Sequence, residues 1–380
     1  MKILIIHNIL WTHYKSVLFE AIEQNKADDM KICVLQVAKN DISRKDMASP
    51  EVNYTYNYHL LFDDFIENIP NLKKVFAVLK FINHFKPDVV NVTGWASDLS
   101  LTLSIVFSFI SGKKIIISNE STSFDHHRSF FKEFLKKMLV KMADGFIVFG
   151  KTSKDYLIAL GANESQFIEE KAAVVDDQRI KDIHQKAIQE GFLSEKVKSA
   201  NNFIFVGRII EVKNIPILIK AFQYIKSSIP EAKDWGLIIL GNGTLDDQIG
   251  REIANGSQDI YKFDAVDWQT VPKYFSKADC LVLPSKSEPW GLVVNEAMIC
   301  RLGVIVSDSC GCKDDLVAGN GFVFESGNQN QLQECMKNFV VNVERKDTMK
   351  ENSLGIIEQF KVDLVAKRIV KGFLKIYQQA

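Results

Sequence analysis

The sequence predicts an α/β fold: two Rossmann-like domains, each a parallel sheet covered by helices, facing each other across a cleft. Three observations predict the two α/β domains. The chain has 380 residues, more than twice the usual domain of about 150 residues. Short apolar β-type runs alternate with amphipathic helical patterns, the order expected of βα units. That alternation breaks once, in a polar stretch over 176–202 rich in Lys, Glu and Gln, and restarts at the apolar run Phe203-Ile-Phe-Val206.

In the first half the strand candidates are 2–7, 31–37, 89–92, 114–118 and 145–149, separated by helical patterns such as 17–24, 72–85, 99–111 and 130–142. In the second half they are 203–207, 236–240, 280–283 and 304–307, with helices near 215–227, 245–254, 291–300 and 329–341. The domains are accordingly set at 1–190 and 191–360, with an amphipathic helix within 361–380 expected to pack back on the first. Ligands of open α/β sheets bind outside the carboxyl ends of the strands, so the loops after strands hold the candidate chemistry.

Composition narrows the function. An apolar fraction of 47% suffices for two cores and excludes a disordered or fibrous chain. Lys plus Arg number 47 against 47 Asp plus Glu, so the basic excess of a nucleic-acid binder is missing. The start, Met1-Lys-Ile-Leu-Ile-Ile6, is too short an apolar run for a signal peptide and has no small-residue cleavage site after it. The stretch 99–110 is far shorter than the roughly 20 residues that span a bilayer and contains four Ser or Thr, so it reads as a buried helix. The cell interior is the expected location. Six cysteines, with only Cys310 and Cys312 closely spaced, fit reduced buried thiols better than a zinc site.

The most informative segment is Pro284-Ser-Lys-Ser-Glu288-Pro-Trp-Gly291-Leu-Val-Val-Asn-Glu296-Ala-Met298, directly after the strand 280–283. Pro289 is expected in the first turn of a helix, where its missing N–H costs nothing. Gly291 to Val294 would then offer unpaired backbone N–H groups at a helix start, a ready phosphate site. Glu288 in the loop and Glu296 about two turns into the helix would border one ligand. Carboxylates accept hydrogen bonds from hydroxyl pairs, and a phosphate site flanked by two such acceptors suits a nucleotide-sugar. The competing reading is a plain helix start with two solvated glutamates.

A second element is Phe203-Ile-Phe-Val-Gly207-Arg208, followed by Lys213-Asn214. Gly207 lets the backbone approach a ligand closely. Arg208 supplies a planar fork for phosphate oxygens and Lys213 a point charge. The competing reading is a pair of surface cations beside a turn. Gly241-Asn-Gly243, after another apolar strand, is by itself no more than a turn signal.

Together these residues resemble retaining glycosyltransferases of family 4. Glu-Pro-Trp-Gly-Leu-Val-Val-Asn-Glu-Ala-Met is similar to the family's E-x7-E signature, and Phe-Val-Gly-Arg with Lys-Asn to its strand and Arg/Lys pair. The likeness runs from Asn202 to Phe324. It implies the GT-B architecture, with 191–360 binding the nucleotide-sugar donor and 1–190 the acceptor. It implies that Arg208 and Lys213 bind the donor diphosphate and take up charge as it leaves. Glu288 would contact the donor hexose and Glu296 the ribose, with Gly207, Gly291, Leu292 and Val293 completing the donor site and the loop 266–270 near the base. No Asp-x-Asp triplet occurs in the sequence, so no metal and no cofactor are expected. Charge on the leaving group would be met by Arg208, Lys213 and the helix start. Retention is expected through front-face attack on an oxocarbenium-like ion pair.

The first half carries weaker signals. His7-Asn-Ile-Leu-Trp-Thr-His13-Tyr14-Lys15 resembles the His-Tyr-Arg/Lys variant of enzymes that build surface polysaccharides and glycolipids, with His13 and Lys15 on the acceptor side. Several family members have a histidine right after the strand at 114–118. Here Asn119-Glu120 stand in that place and His126-His127 come later. Glu120 and His127 are therefore the implied catalytic candidates, Glu120 also contacting the acceptor. Trp95 either stacks on a sugar or packs at the core edge. The lysine-rich helices 130–141 and 72–85 either lie on an anionic membrane or expose solvated lysines behind a face packed on the sheet.

The expected function is retaining transfer of a hexose from a nucleotide-sugar, UDP-linked before GDP-linked, to a glycan or lipid-linked acceptor of a cell-surface polysaccharide such as lipopolysaccharide. The expected place is cytoplasmic, peripheral at the inner face of the membrane. Rival expectations are a soluble GT-B enzyme acting on a sugar phosphate, a GT-B epimerase or phosphorylase, and a non-catalytic nucleotide-sugar sensor.

Overall fold

Every strand pairing is parallel, and the pairings sort into one seven-stranded and one six-stranded sheet. The computed structural model describes residues 1–10, 13–42, 54–95, 98–122, 130–254 and 259–379. The chain divides into two units, Met1–Val175 with Phe360–Ala380, and Asp176–Gln359.

The first unit contains β1 (Lys2–Ile9), α1 (His13–Asn25), β2 (Lys31–Asn40), β3 (Tyr58–Phe65), α2 (Asn71–Phe85) and β4 (Val89–Thr93). There follow α3 (Leu99–Ile110), β5 (Lys114–Asn119), α4 (Phe130–Lys141), β6 (Gly145–Val148), α5 (Lys151–Leu160) and β7 (Phe167–Glu169). The sheet order is β3-β2-β1-β4-β5-β6-β7. Chain direction across the sheet therefore reverses between β1 and β4, the switch point at which such sheets open a crevice. The inner strands are buried along almost their whole length because helices cover both faces, and polar residues such as His7 and Asn119 fall toward the carboxyl ends.

The second unit contains α6 (Asp177–Gln189), β8 (Asn201–Val206), α7 (Ile215–Ser228), β9 (Trp235–Leu240), α8 (Asp246–Ala254), β10 (Ile260–Phe263) and α9 (Val271–Phe275). It continues with β11 (Cys280–Leu283), α10 (Leu292–Ile299), β12 (Gly303–Ser307), α11 (Lys313–Leu316), β13 (Gly321–Phe324), α12 (Gln329–Val341) and α13 (Val343–Ile357). Its order, β10-β9-β8-β11-β12-β13, puts the switch point between β8 and β11. Phe203, Trp235 and Phe339 pack ring on ring in its core, Phe203 and Trp235 at 4.6 Å between centroids. The break between units falls after Val175, not after 190. The polar stretch at which the alternation breaks begins with α6, whose Ile180 and Ala187 are buried as it packs on α9 and α10.

After the second unit the chain returns to the first as α14 (Val362–Gln378). Its buried stripe, including Val365, Ile369, Phe373 and Ile376, lies against α1 and β7. Gly372 is needed there, since a Cβ would sit 2.7 Å from Cβ of Ile168. Arg368 grips the buried Glu169 carboxylate with two nitrogens, the second at 2.9 Å, a planar two-point contact. All six cysteines are free and five are buried; burial pushes Cys310 up to about 12 and Cys33 up to about 11, which keeps both thiols protonated.

Candidate active site

β8 and β11 are neighbours in register, Cys280 beside Phe203 and Leu281 beside Ile204. The loops leaving their carboxyl ends are therefore adjacent at the switch point. After β8 the chain makes a tight turn through Gly207, whose φ of 151° favours glycine. The loops after β8 and β9 lie backbone on backbone: Gly207 N donates to Leu240 O at 3.0 Å and Ile209 N to Asn242 O at 2.9 Å. A Cβ on Gly241 would fall 1.9 Å from Gly207 O, and one on Gly243 2.2 Å from Ile209 O. The Gly-Asn-Gly turn thus serves close loop packing.

Arg208 is exposed beyond this turn and, among the described residues, has no ion-pair partner. Lys213 ends a short 3-10 turn over Glu211–Lys213, closed by Asn214 in the left-handed conformation at φ 55°. Lys213 Nζ pairs with Oε2 of Glu288. The two side chains are 15% and 14% exposed. Asn214 Nδ2 and Ser285 Oγ, on the same two loops, are buried without a partner among the described residues.

Glu288 is fixed through its backbone, its N–H donating to Ser309 O at 3.1 Å and its carbonyl accepting from Gly311 N at 2.9 Å. Lys286 N donates to Val212 O at 2.7 Å, joining the two loops, and Lys286 also pairs with Glu211 on the surface. Gly291 then turns the chain with φ 94°, and a Cβ would sit 2.9 Å from Leu283 Cδ2. α10 starts at Leu292, so Pro289 lies three residues before the helix rather than in its first turn. Among the described residues no side chain caps α10. The N–H groups of Leu292 and Val293 head a helix end that carries partial positive charge.

Glu296 is the fifth residue of α10 and keeps some access to solvent. Burial of its carboxylate pushes the pKa up to about 7. Trp290 and Asn295 are among the motif residues with no role assigned from sequence. Buried Trp290 donates its indole N–H to Oδ1 of buried Asn295 at 2.9 Å, which pins the turn before α10 to the helix. A buried indole needs an acceptor, and Asn295 five residues on was the signal. The loop 266–270 joins β10 to α9; Asp267 accepts from the Gln269 and Thr270 amides, and Arg179 stacks on Trp268 at 4.5 Å.

In the first unit, Lys15 on α1 and Glu120 after β5 come together, Nζ to Oε1 at 2.5 Å. The lysine side chain is 5% exposed and the glutamate 36%. Tyr14 donates its hydroxyl to Glu120 Oε2 at 3.2 Å, and the Lys15 ammonium lies 4.8 Å from the Phe149 ring centre. Burial alone would raise the Glu120 pKa, but the Lys15 charge and hydrogen bond, with His7 and Tyr14, outweigh it and hold the carboxyl below its ordinary range. A small pocket lined by Asn91, Thr93, Ser118, Asn119 and this pair adjoins it. His7 is buried with Nδ1 3.0 Å from Gln36 Oε1, and burial together with the Lys15 charge lowers its pKa to about 4.

Other first-unit expectations fare differently. Trp95 is 2% exposed, packed in the core with its indole N–H on Asn119 Oδ1 at 3.2 Å, so the packed-core alternative describes it and stacking on a sugar does not. Lys74, grouped with the solvated lysines of α2, is buried on Asp98 at the start of α3. Lys136 of α4 donates to the Tyr156 hydroxyl at 2.7 Å. Leu72 and Phe76 on α2 and Phe134, Leu135 and Met138 on α4 are exposed. His127 and the side chain of His13 lie outside the described residues. No helix among the described residues is long and apolar enough to cross a membrane.

Residues 190–354 match the family model for glycosyl transferases group 1. The second unit carries a glycosyltransferase group 1 domain. Arg208, Lys213, Glu288 and Glu296 all fall within that domain. An uncharacterized glycosyltransferase of Methanocaldococcus jannaschii is 24% identical over 321 residues, covering 83% of this chain and 84% of the relative. Anabaena HepE, solved in complex with UDP and glucose, is similar with a TM-score of 0.71 at 17% identity, over 99% of this chain and 100% of that one. The lipopolysaccharide outer core galactosyltransferase WaaB, in its apo form, is similar with a TM-score of 0.69 at 18% identity, over 99% of each chain. The fold shared with these structures is GT-B.

Proposed function

We propose that this chain is a retaining, metal-independent glycosyltransferase that moves a hexose from a UDP-linked donor to a glycan or lipid-linked acceptor of a cell-surface polysaccharide. The observation that carries the proposal is the set gathered at the switch point of the second unit: Arg208, Lys213, Glu288, the uncapped start of α10 and Glu296. As the bond from sugar C1 to the phosphate oxygen breaks, negative charge grows on the diphosphate. Lys213, Arg208 and the Leu292 and Val293 N–H groups are preorganised to meet it, the role a metal ion serves elsewhere. Glu288 accepts from hexose hydroxyls and Glu296 from the ribose. Gly207 and Gly291 keep side chains out of the path of the phosphates.

The acceptor belongs to the first unit in this reading. Glu120, kept ionised by Lys15, offers a carboxylate to an acceptor hydroxyl at the carboxyl end of β5. His13 and His127 remain acceptor-side candidates on sequence alone. The UDP in HepE and the lipopolysaccharide acceptor in the name of WaaB support the donor and acceptor classes. Exposed apolar residues beside Lys73, Lys80, Lys137 and Lys141 on α2 and α4 support peripheral attachment to an anionic membrane.

A thermal-shift screen of UDP-, GDP- and ADP-sugars, followed by transfer assays and NMR of the product anomer, tests the proposal. Stabilisation by UDP-sugars and retained configuration are expected, with activity surviving EDTA. An inverted product, or activity abolished by EDTA and restored by Mn²⁺, would sink it. Binding to acidic liposomes at low ionic strength tests the membrane part; no binding favours a soluble acceptor.

A further inference from the structure

The Lys213–Glu288 contact creates a competition within the site. Lys213 is the mostly buried cation placed to receive phosphate oxygens, and it is paired with a carboxylate. Neither partner has a second ion pair among the described residues. A phosphate arriving on Lys213 therefore either shares one ammonium with Glu288 or displaces it. A carboxylate displaced in a position only 14% exposed is unfavourable unless new donors meet it. The hydroxyls of a hexose are such donors. A nucleoside diphosphate without sugar brings none.

We propose that Lys213 and Glu288 exchange partners together, so that the pair selects nucleoside diphosphates bearing a sugar over bare nucleoside diphosphates. This rests on the donor-site reading above and adds a specificity role to it: Glu288 penalises the product nucleotide as well as holding the sugar. The surrounding loops suit such an exchange. The Lys286–Val212 backbone bond and the outer Lys286–Glu211 pair join the same two loops, and Glu288 is anchored by Ser309 and Gly311 through its backbone. Opening the inner pair thus needs side-chain motion only. No covalent bond is made or broken in the exchange. After transfer, with the hexose gone, Glu288 again competes with the diphosphate for Lys213, which favours product release.

Titration calorimetry on the full chain tests this with UDP, GDP and ADP and their glucose conjugates. Glu288→Gln keeps the side-chain shape and removes the charge. It should bind the bare nucleoside diphosphate about tenfold more tightly than wild type, and lose most of the preference for the sugar conjugate. Glu288→Asp keeps the charge and should stay within about twofold of wild type for the bare nucleotide. Glu288→Ala replaces the Gln variant if that one folds poorly by circular dichroism, and should show the same gain. Normal binding of both ligand forms with no gain in Glu288→Gln, or an equal gain in Glu288→Asp, overturns the exchange while leaving the donor site standing. Failure of all six ligands to bind any of the proteins removes the donor site and the exchange with it.

Discussion

Each unit places one lysine against one glutamate at the carboxyl ends of its strands, but the two pairs are built differently. Lys15 is almost wholly enclosed, lies over the Phe149 ring, and holds a glutamate whose other oxygen takes the Tyr14 hydroxyl. Lys213 and Glu288 share similar partial access and, among the described residues, form no other ion pair. The first arrangement leaves a fixed cation and one half-open carboxylate. The second leaves both groups ready for another partner. A pair of the same chemical type is therefore built as a bracket in one unit and as a more open contact in the other.

The largest expected difference is catalytic. Arg208→Ala or Lys213→Ala should lower turnover by about two or more orders of magnitude, the first while hardly moving the melting temperature and the second with some loss of stability, because it leaves the mostly buried Glu288 without its cation. Near-normal steady-state rates in either variant would remove the phosphate role. The first unit should instead respond to pH. His7 is held at about 4, so between its ordinary value of 6.5 and 4 the unfolded chain binds a proton that the folded chain refuses. Its contribution is complete above pH 6.5 and is lost as pH falls through that window, up to about 3 kcal/mol. Thermal melts across the window should become flatter in His7→Gln. An unchanged slope would show that His7 is not the titrating group.

Lys15→Met should destabilise the fold by about 1–2 kcal/mol, because it leaves Glu120 without its cation on a half-open site. Chemical denaturation measures this. If Lys15→Met lost turnover alone and Lys213→Ala lost stability alone, the contrast between the pairs would be reversed. The smallest effect concerns Glu296, held at about 7 by burial. Hydroxyl binding needs the carboxylate, so donor affinity should rise with pH through 7, by at most about tenfold per unit. Glu296→Gln should abolish that rise in calorimetry at pH 6 and 8.

The nine strands proposed from the sequence are all inner strands of the two sheets. The four others, β3, β7, β10 and β13, are the four edges. Inner strands are covered on both faces and read as continuous apolar runs. Edge strands are half covered: β13 buries only Phe324 of its four residues, and β7 is three residues long. Position in the sheet decided what was visible. The candidate donor site was legible for a similar reason. Its residues sit within single loops, where glycine, proline and charge stand close in sequence. The pairing of Lys213 with Glu288 joins residues 75 positions apart and needed the β8–β11 neighbourhood to appear. Pro289 looked like a helix start, yet Gly291 makes the turn, because its φ of 94° bends the chain into α10.

The return of α14 to the first unit bears on the order of folding during synthesis. Residues for the second unit emerge from the ribosome as one uninterrupted segment and can form their sheet as soon as they are free. The first unit is begun earlier but completed later. Until α14 is made, the face of α1 and β7 that it covers, and the carboxylate of Glu169, have no partner from that helix. The nascent first unit thus carries an open apolar face for the whole time needed to translate the second. That interval is when this chain is most exposed to aggregation and most in need of a chaperone.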